Sequence, residues 1–164
     1  MEQPIEIIVR RARPPDAAQI AAFVNRRQGC AITPEEIIAR FGTVGFLLAD
    51  DSGRLVGLLG WHAENLVVCV TDFLVTPARD LPVIGPTLLE AMEGAARELQ
   101  CEAAILFIPP RLLEGTEIFW NAHDYWLRKV AEMPRAWREA VLEANLGERA
   151  LLKQLRTDRV MKPI

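Results

Sequence analysis

The chain has 164 residues, of which 51% are hydrophobic and 25% charged, and its 19 Lys and Arg against 22 Asp and Glu give a formal net charge of -3. These values are typical of a globular domain and exclude an intrinsically disordered chain or a disulfide scaffold. Sequence-independent binding to nucleic acid needs a basic surface, which this balance of charges does not provide.

We expect no targeting or membrane segment in this sequence. No apolar run reaches the ~18 residues of a membrane span, and the N-terminus contains Glu2 and Glu6 where a signal peptide would be apolar. We therefore expect a cytoplasmic protein that binds neither nucleic acid nor membrane. The cysteines Cys30, Cys69 and Cys101 are odd in number and widely spaced, which predicts reduced thiols.

The first quarter of the chain predicts a strand and two helices. Residues 5–11 are rich in β-branched side chains and precede a Pro-Pro pair, which indicates a strand that ends there. Residues 16–25 repeat apolar side chains at helical spacing. Thr33 and Glu36 have the spacing of a capping box, which predicts a second helix over 34–40.

Three strands are predicted next. The apolar runs 44–49 and 55–61 are joined by the turn-forming residues 50–53, which is typical of a β-hairpin. Residues 66–75 are nearly all apolar, as expected for a central strand covered on both faces.

The middle of the chain predicts a crossover between parallel strands. Residues 85–100 carry a broad apolar stripe at helical spacing, and residues 103–108 form a buried strand stopped by a second Pro-Pro pair. The order strand, helix, strand predicts that 66–75 and 103–108 run parallel.

Short elements are predicted for the last third, and no Pro, Gly or Ser-rich linker separates them from the rest, so we expect a single domain over 1–164. These elements are a helix over 117–123, a strand over 125–130, helices over 136–144 and 148–155 within a helical insert at about 134–157, and a final edge strand over 159–164.

The element order and the segment 72–89 resemble the GNAT superfamily of acyl-CoA N-acyltransferases. In that family a strand ending in an apolar-x-Val-x-Pro pattern precedes an Arg/Gln-x-x-Gly-x-Gly/Ala loop and a helix. Residues 73–77 (FLVTP) match the strand end, and Gly85 matches the last small position of the loop. The resemblance implies an α/β (α+β) fold with a mixed, centrally splayed β-sheet flanked by helices.

The resemblance also implies acetyl-CoA as co-substrate, with its pantetheine arm along the end of the strand 66–75 and its pyrophosphate at a helix that begins at Gly85. The cofactor-binding residues implied in this way are Leu74, Val75, Arg79, Val83, Ile84, Gly85 and Thr87.

The loop departs from the family pattern at several positions. Asp80 stands where Arg or Gln is usual and would repel a phosphate unless Arg79 compensates. Val83 replaces a glycine, and Pro82 and Pro86 each remove an N–H donor. Two alternatives stay open: a remodelled cofactor loop, or a loop that no longer binds the pyrophosphate.

Acyl transfer to an amine needs a base, and the family also supplies an acid for the departing thiolate. Asp72, the one acid within the apolar strand, and Glu64, after the preceding strand, are the candidate bases; the alternatives are an Asp72 paired with an arginine and a solvated Glu64. Trp120 stands at the position of the family's acidic tyrosine and cannot donate a proton near neutral pH. Tyr125 could replace it only after a backbone shift.

The resemblance therefore implies an acetyl-CoA-dependent N-acetyltransferase that transfers the acetyl group directly to an amine of a small molecule or peptide. The sequence has no metal-binding motif, so we expect no metal site. The alternative from another class is a catalytically silent GNAT-fold module that binds a ligand or a partner and has lost acetyl-CoA. A homodimer is compatible with both.

Overall fold

A computed structural model of the chain describes residues 6–108, 113–141 and 149–157. Seven strands follow the hydrogen-bonded order β1-β2-β3-β4-β5-β7-β6 in a mixed sheet with helices beside it. The strands are β1 (Ile7–Arg11), β2 (Gly45–Asp51), β3 (Arg54–Glu64), β4 (Val67–Val75), β5 (Ala103–Leu106), β6 (Trp126–Lys129) and β7 (Arg149–Gln154). The helices are α1 (Ala17–Gln28), α2 (Pro34–Arg40), α3 (Leu81–Glu98), α4 (Glu117–Ala122) and α5 (Arg135–Ala140).

The chain divides into two compact units. The first comprises residues 1–61 and 72–92, and the second comprises residues 62–71 and 93–164. Both β4 and α3 contribute residues to each unit. The single domain expected from the sequence stays a prediction.

In the first unit, α1 and α2 pack on the β2–β3 hairpin. The shared core contains Ile20 and Phe23 of α1, Ile37 of α2, and Leu48 and Leu58 of the hairpin, all of them buried. The capping box of α2 is confirmed, since Thr33 Oγ1 accepts from the Glu36 N–H and Glu36 Oε2 accepts from the Thr33 N–H. This core fixes one face of the hairpin.

The predicted hairpin is also confirmed. β2 and β3 are antiparallel, and Ser52 and Gly53 between them have φ values of 50° and 84°, the left-handed backbone that such a turn requires. On one face of the sheet Gly57 leaves room for α3, because a Cβ atom there would lie 2.9 Å from both Ile84 and Leu88.

The second unit is built around β5. Val67–Val70 of β4 pair with Ala103–Leu106 in parallel, which confirms the predicted crossover, and β7 pairs antiparallel with the other edge of β5. Beyond it, β6 pairs antiparallel with β7. Trp137 of α5 packs into the core beside this sheet, and its indole N–H donates to the buried carboxylate of Glu102 over 2.9 Å.

One predicted helix is wrong. Residues 148–155 were expected to be helical because three leucines fall at helical spacing, but Arg149–Gln154 form the strand β7. The segment supplies the hydrogen-bonding partner for one edge of β5, with Ala150 and Leu151 buried. The helical insert expected at about 134–157 is therefore limited to α5 within the described residues, and the predicted strand over 159–164 lies outside them.

The start of α3 also differs from the expectation. The helix was expected to begin at Gly85, but it begins four residues earlier, at Leu81, after a turn of 3-10 helix over Ala78–Asp80.

Among the described residues, no helix combines the length and the apolar character that crossing a membrane would require.

Candidate functional site

The end of β4 is the first feature of the candidate site. The Thr76 N–H donates to the Val56 carbonyl oxygen in β3 over 2.9 Å. Successive residues of a strand direct their backbone groups to opposite sides, so the N–H and C=O of Val75 point away from β3. The ladder with β5 ends at Val70, and β4 continues for five more residues to Val75.

A side chain already contacts this end of the strand. Arg27 Nε, in the last turn of α1, donates to the Val75 carbonyl oxygen over 3.3 Å. Val75 is the residue whose backbone was expected to bind the cofactor arm. Its carbonyl group therefore has an internal donor from the same unit.

The predicted cofactor loop is the first turn of α3. Gly85 lies within the helix and is buried, and Thr87 Oγ1 donates to the Ile84 carbonyl oxygen over 2.6 Å. Pro86 inside the helix cannot donate to the carbonyl of Pro82, one turn before it. The open glycine-rich loop implied by the resemblance is thus replaced by helix.

The predicted cofactor residues differ in how far solvent reaches them. Arg79 and Val83 are exposed, and Val83 keeps 49% of its surface accessible. Val75, Ile84 and Gly85 are buried, and Leu74 and Thr87 are half-buried. A phosphate arriving from solvent would meet the side chains of Arg79 and Val83 first.

Of the two candidate bases, Asp72 lies in an ion pair. Arg40 Nη1 and Nη2 lie 3.2 and 2.5 Å from Asp72 Oδ1 and Oδ2, and the Arg40 guanidinium sits 5.0 Å from the centre of the Phe46 ring. This bidentate pair corresponds to the arginine-paired alternative left open by the sequence.

The second candidate base, Glu64, is exposed at the last residue of β3. Burial and, to a lesser extent, the negative charge of Glu64 raise the pKa of the Cys69 thiol to about 11. The thiol therefore stays protonated at neutral pH, and Cys69 Sγ donates to the Ala140 carbonyl oxygen over 3.5 Å. A half-buried neutral thiol of this kind is a poor nucleophile.

Tyr125, the candidate acid, is fully buried. Its ring meets Trp120 edge to face at 5.5 Å, and burial, more than the charge of Glu93, raises its pKa well above the ordinary value of a phenol. Within the described part of the chain its hydroxyl has no hydrogen-bond partner. These properties disfavour proton donation to a thiolate.

One cavity in the structure could not be inferred from any pattern in the sequence. A cavity of about 280 Å³ in the first unit is lined by Arg26, Arg27 and Arg54, with Thr76 and Pro77 beside them. Arg26 and Arg27 fall in the last turn of α1, where basic residues are common, and Arg54 starts β3 after the hairpin turn. Only folding brings the three together.

No protein-family model matches the chain, and no curated protein matches it. Solved structures, in contrast, do match the chain. The protein yncA from Salmonella typhimurium, solved with its cofactor acetyl-CoA, is 15% identical with a TM-score of 0.69, over 96% of this chain and 99% of that one. The paia N-acetyltransferase from Thermoplasma acidophilum, in complex with coenzyme A, is 12% identical with a TM-score of 0.67, over 92% and 99%.

A third structure, the ribosomal-protein-S18-alanine N-acetyltransferase from Escherichia coli, is 9% identical with a TM-score of 0.67, over 97% of this chain and 100% of that one. At such identities the similarity establishes the fold. The chain has the GNAT fold, so the mixed α/β architecture expected from the sequence is confirmed.

Proposed function

We propose that this chain is an acetyl-CoA-dependent N-acetyltransferase that passes the acetyl group directly from the thioester to an amine. The observation that carries the proposal is the end of β4, which continues for five residues beyond its ladder with β5 and turns the backbone groups of Val75 away from β3. The similar structures solved with acetyl-CoA or coenzyme A support it.

In this proposal the cofactor arm lies along Leu74 and Val75, and its amides pair with their backbone as an added strand would. The Val75 N–H donates to the thioester carbonyl and stabilises the oxyanion. Arg79, with Val83 at the exposed first turn of α3, meets the phosphates. Ile84, Gly85 and Thr87 support this turn from within the helix.

For the base we favour Glu64 over Asp72. Glu64 is exposed, whereas Arg40 contacts both carboxylate oxygens of Asp72. The base removes a proton from the acceptor ammonium, and the amine nitrogen then attacks the thioester carbon. The carbon–sulfur bond breaks, and the nitrogen releases its second proton to solvent to give the neutral amide. The departing thiolate takes a proton from solvent, since Tyr125 is buried.

The second candidate function is a catalytically silent GNAT-fold module. Three observations favour it: α3 begins at Leu81 in place of an open loop, Arg27 donates to the Val75 carbonyl, and Asp80 adds a negative charge before the helix. Under this alternative the chain binds a ligand or partner other than acetyl-CoA. A cytoplasmic location and a homodimer are compatible with either function, and both rest on the sequence alone.

Calorimetric titration with acetyl-CoA and with free CoA tests the proposal. Micromolar binding is expected, together with amine-dependent release of CoA, whereas no heat at millimolar ligand would contradict the proposal and favour the silent module. Asp80→Arg should tighten CoA binding, because it removes a charge that repels phosphate.

A matched pair of variants assigns the base. We expect Glu64→Gln to lower kcat by about 100-fold or more while the protein stays folded. Asp72→Asn should instead reduce thermal stability and affect kcat less, because it weakens the pair with Arg40. The reverse pattern would identify Asp72 as the base.

A further inference from the structure

The cavity of about 280 Å³ in the first unit joins three elements that are distant in sequence. Arg26 and Arg27 come from the end of α1, Arg54 begins β3, and Thr76 and Pro77 follow β4. The remaining lining is apolar and buried, which gives the cavity a fixed floor. The cavity is thus lined by buried apolar side chains and by three arginines.

Among the described residues, these three cations have no acidic partner. In the described parts of the chain, none of Arg26, Arg27 and Arg54 forms an ion pair with a carboxylate, and the cavity lining contains no Asp or Glu. The same unit pairs Arg10 with Asp16 and Asp50, and Arg40 with Asp72. Three unpaired positive charges around one cavity repel one another, so an anion bound among them would be stabilised.

One of the three is held in place. Arg27 Nε donates to the Val75 carbonyl oxygen over 3.3 Å, which anchors the side chain through one of its five N–H donors. The other four have no hydrogen-bond acceptor among the residues that the structure describes. Arginine binds oxyanions through parallel pairs of N–H groups, so an anchored guanidinium is already oriented for such contact. The anchor reduces the entropy lost when a ligand binds.

From this arrangement we infer that the Arg26–Arg27–Arg54 cavity binds the phosphate group of a small ligand. A phosphate monoester carries nearly two negative charges and three terminal oxygens, enough for three guanidinium groups, whereas a carboxylate offers one charge and two oxygens. A volume of about 280 Å³ holds a phosphate with a small organic part, at the lower end of ordinary ligand sites. The inference does not depend on acetyl transfer.

Thermal unfolding of the full chain in sodium phosphate, compared with sodium chloride at the same ionic strength, tests the inference. We expect Tm to rise with phosphate concentration, by about 2–4 °C at five times the Kd, and calorimetry to give one site per chain. Inorganic phosphate and pyrophosphate serve as probes, and malonate serves as the dicarboxylate comparison.

Variants localise the effect. Arg26→Gln and Arg54→Gln remove charge from exposed side chains and should each weaken phosphate binding by about tenfold, while Arg54→Lys should retain part of it. Arg11→Gln is the matched control, because Arg11 is an exposed arginine of the same unit that does not line this cavity. It should bind phosphate as the unaltered chain does.

Three outcomes would overturn the inference. These are the same Tm in phosphate and chloride, a phosphate effect that survives Arg26→Gln with Arg54→Gln, and tighter binding of malonate than of phosphate. Titration with acetyl-CoA in the same variants separates the two proposals: unchanged acetyl-CoA affinity beside lost phosphate binding places the phosphate site outside the cofactor site. A chain that binds phosphate but no acetyl-CoA would refute only the proposed acetyltransferase.

Discussion

Arg27 Nε donates a hydrogen bond to the carbonyl oxygen of Val75 over 3.3 Å, which joins the last turn of α1 to the last residue of β4. In the proposed binding mode an amide of the cofactor arm donates to the same backbone. In that mode Arg27 and the cofactor amide would approach the same oxygen, and we expect their two hydrogen bonds to compete.

Removing this competitor should strengthen cofactor binding. We expect Arg27→Ala to lower the Kd for acetyl-CoA by about 2–10-fold, the value of one hydrogen bond, as measured by calorimetry. Arg26→Ala is the matched control, because it removes the same charge from the same helix end and leaves the Val75 carbonyl bonded. Weaker acetyl-CoA binding by Arg27→Ala would mean that the arginine helps to hold the cofactor.

Tyr125→Phe should leave the protein active and fully stable. The tyrosine is buried and its hydroxyl is unpartnered within the described residues, so removing the oxygen also removes a desolvation cost. We expect kcat within about twofold and a free energy of unfolding raised by up to about 1 kcal/mol, measured by chemical denaturation. A large loss of kcat with intact folding would instead assign Tyr125 as the acid.

Replacement by alanine should change the free energy of unfolding in opposite directions at two glycines. Gly57→Ala places a methyl group 2.9 Å from Ile84 and Leu88 and should destabilise the protein by about 1–3 kcal/mol. Gly94→Ala, within α3, meets no other atom within 4 Å and should stabilise it by about 0.5–1 kcal/mol. Urea denaturation measures both, and destabilisation by Gly94→Ala would contradict the open surroundings of that residue.

The ion pair between Arg10 and Asp16 should make stability depend on pH in the acid range. Hydrogen bonds from Arg10, and then from the Arg13 N–H, hold the pKa of Asp16 below its ordinary value of 3.8. The folded chain therefore binds fewer protons here than the unfolded chain, so this stabilisation is complete above about pH 5 and is lost as the pH falls through 3.8 and then the lower folded pKa.

Thermal melts between pH 2 and 6 test this expectation. Asp16→Asn should reduce the fall of Tm at acid pH. Arg10→Met should have the same effect, because it removes the cation that pairs with Asp16. An unchanged slope in both variants would show that other carboxylates account for the acid sensitivity.

Elements that are determined by neighbouring residues could be predicted from the sequence. The capping box of Thr33 and Glu36 and the turn through Ser52 and Gly53 depend on backbone groups only a few residues apart, and both occur where they were predicted. The parallel pair of β4 and β5 was also predictable, because strand, helix and strand in succession permit few topologies.

Elements that depend on distant partners could not be predicted in this way. The leucines of residues 149–154 fit a helix as well as a strand, and the strand forms because β5 offers unpaired backbone groups at its edge. The start of α3 was misplaced because the family pattern calls for a loop there. A proline just after Leu81, in a position that suits a first helical turn, was the signal for the earlier start.

The same distinction between neighbouring and distant residues applies to the candidate site. The pairing of Asp72 with an arginine was weighed as an alternative, but the sequence could not single out Arg40, which lies 32 residues away. The three arginines of the cavity belong to separate elements, so no local spacing connects them.

Lys153 of β7 forms an ion pair with Glu93, so the reactivity of the lysine amine measures how often the structure around this pair opens. Glu93 is 4% exposed and Lys153 Nζ also lies 5.6 Å from the centre of the Tyr125 ring, so these two groups shield much of the ammonium from solvent. Amine-reactive labels should therefore modify exposed Lys129 quickly and Lys153 only when this contact breaks. The ratio of the two labelling rates, read by mass spectrometry, reports how often the native protein loosens around Glu93.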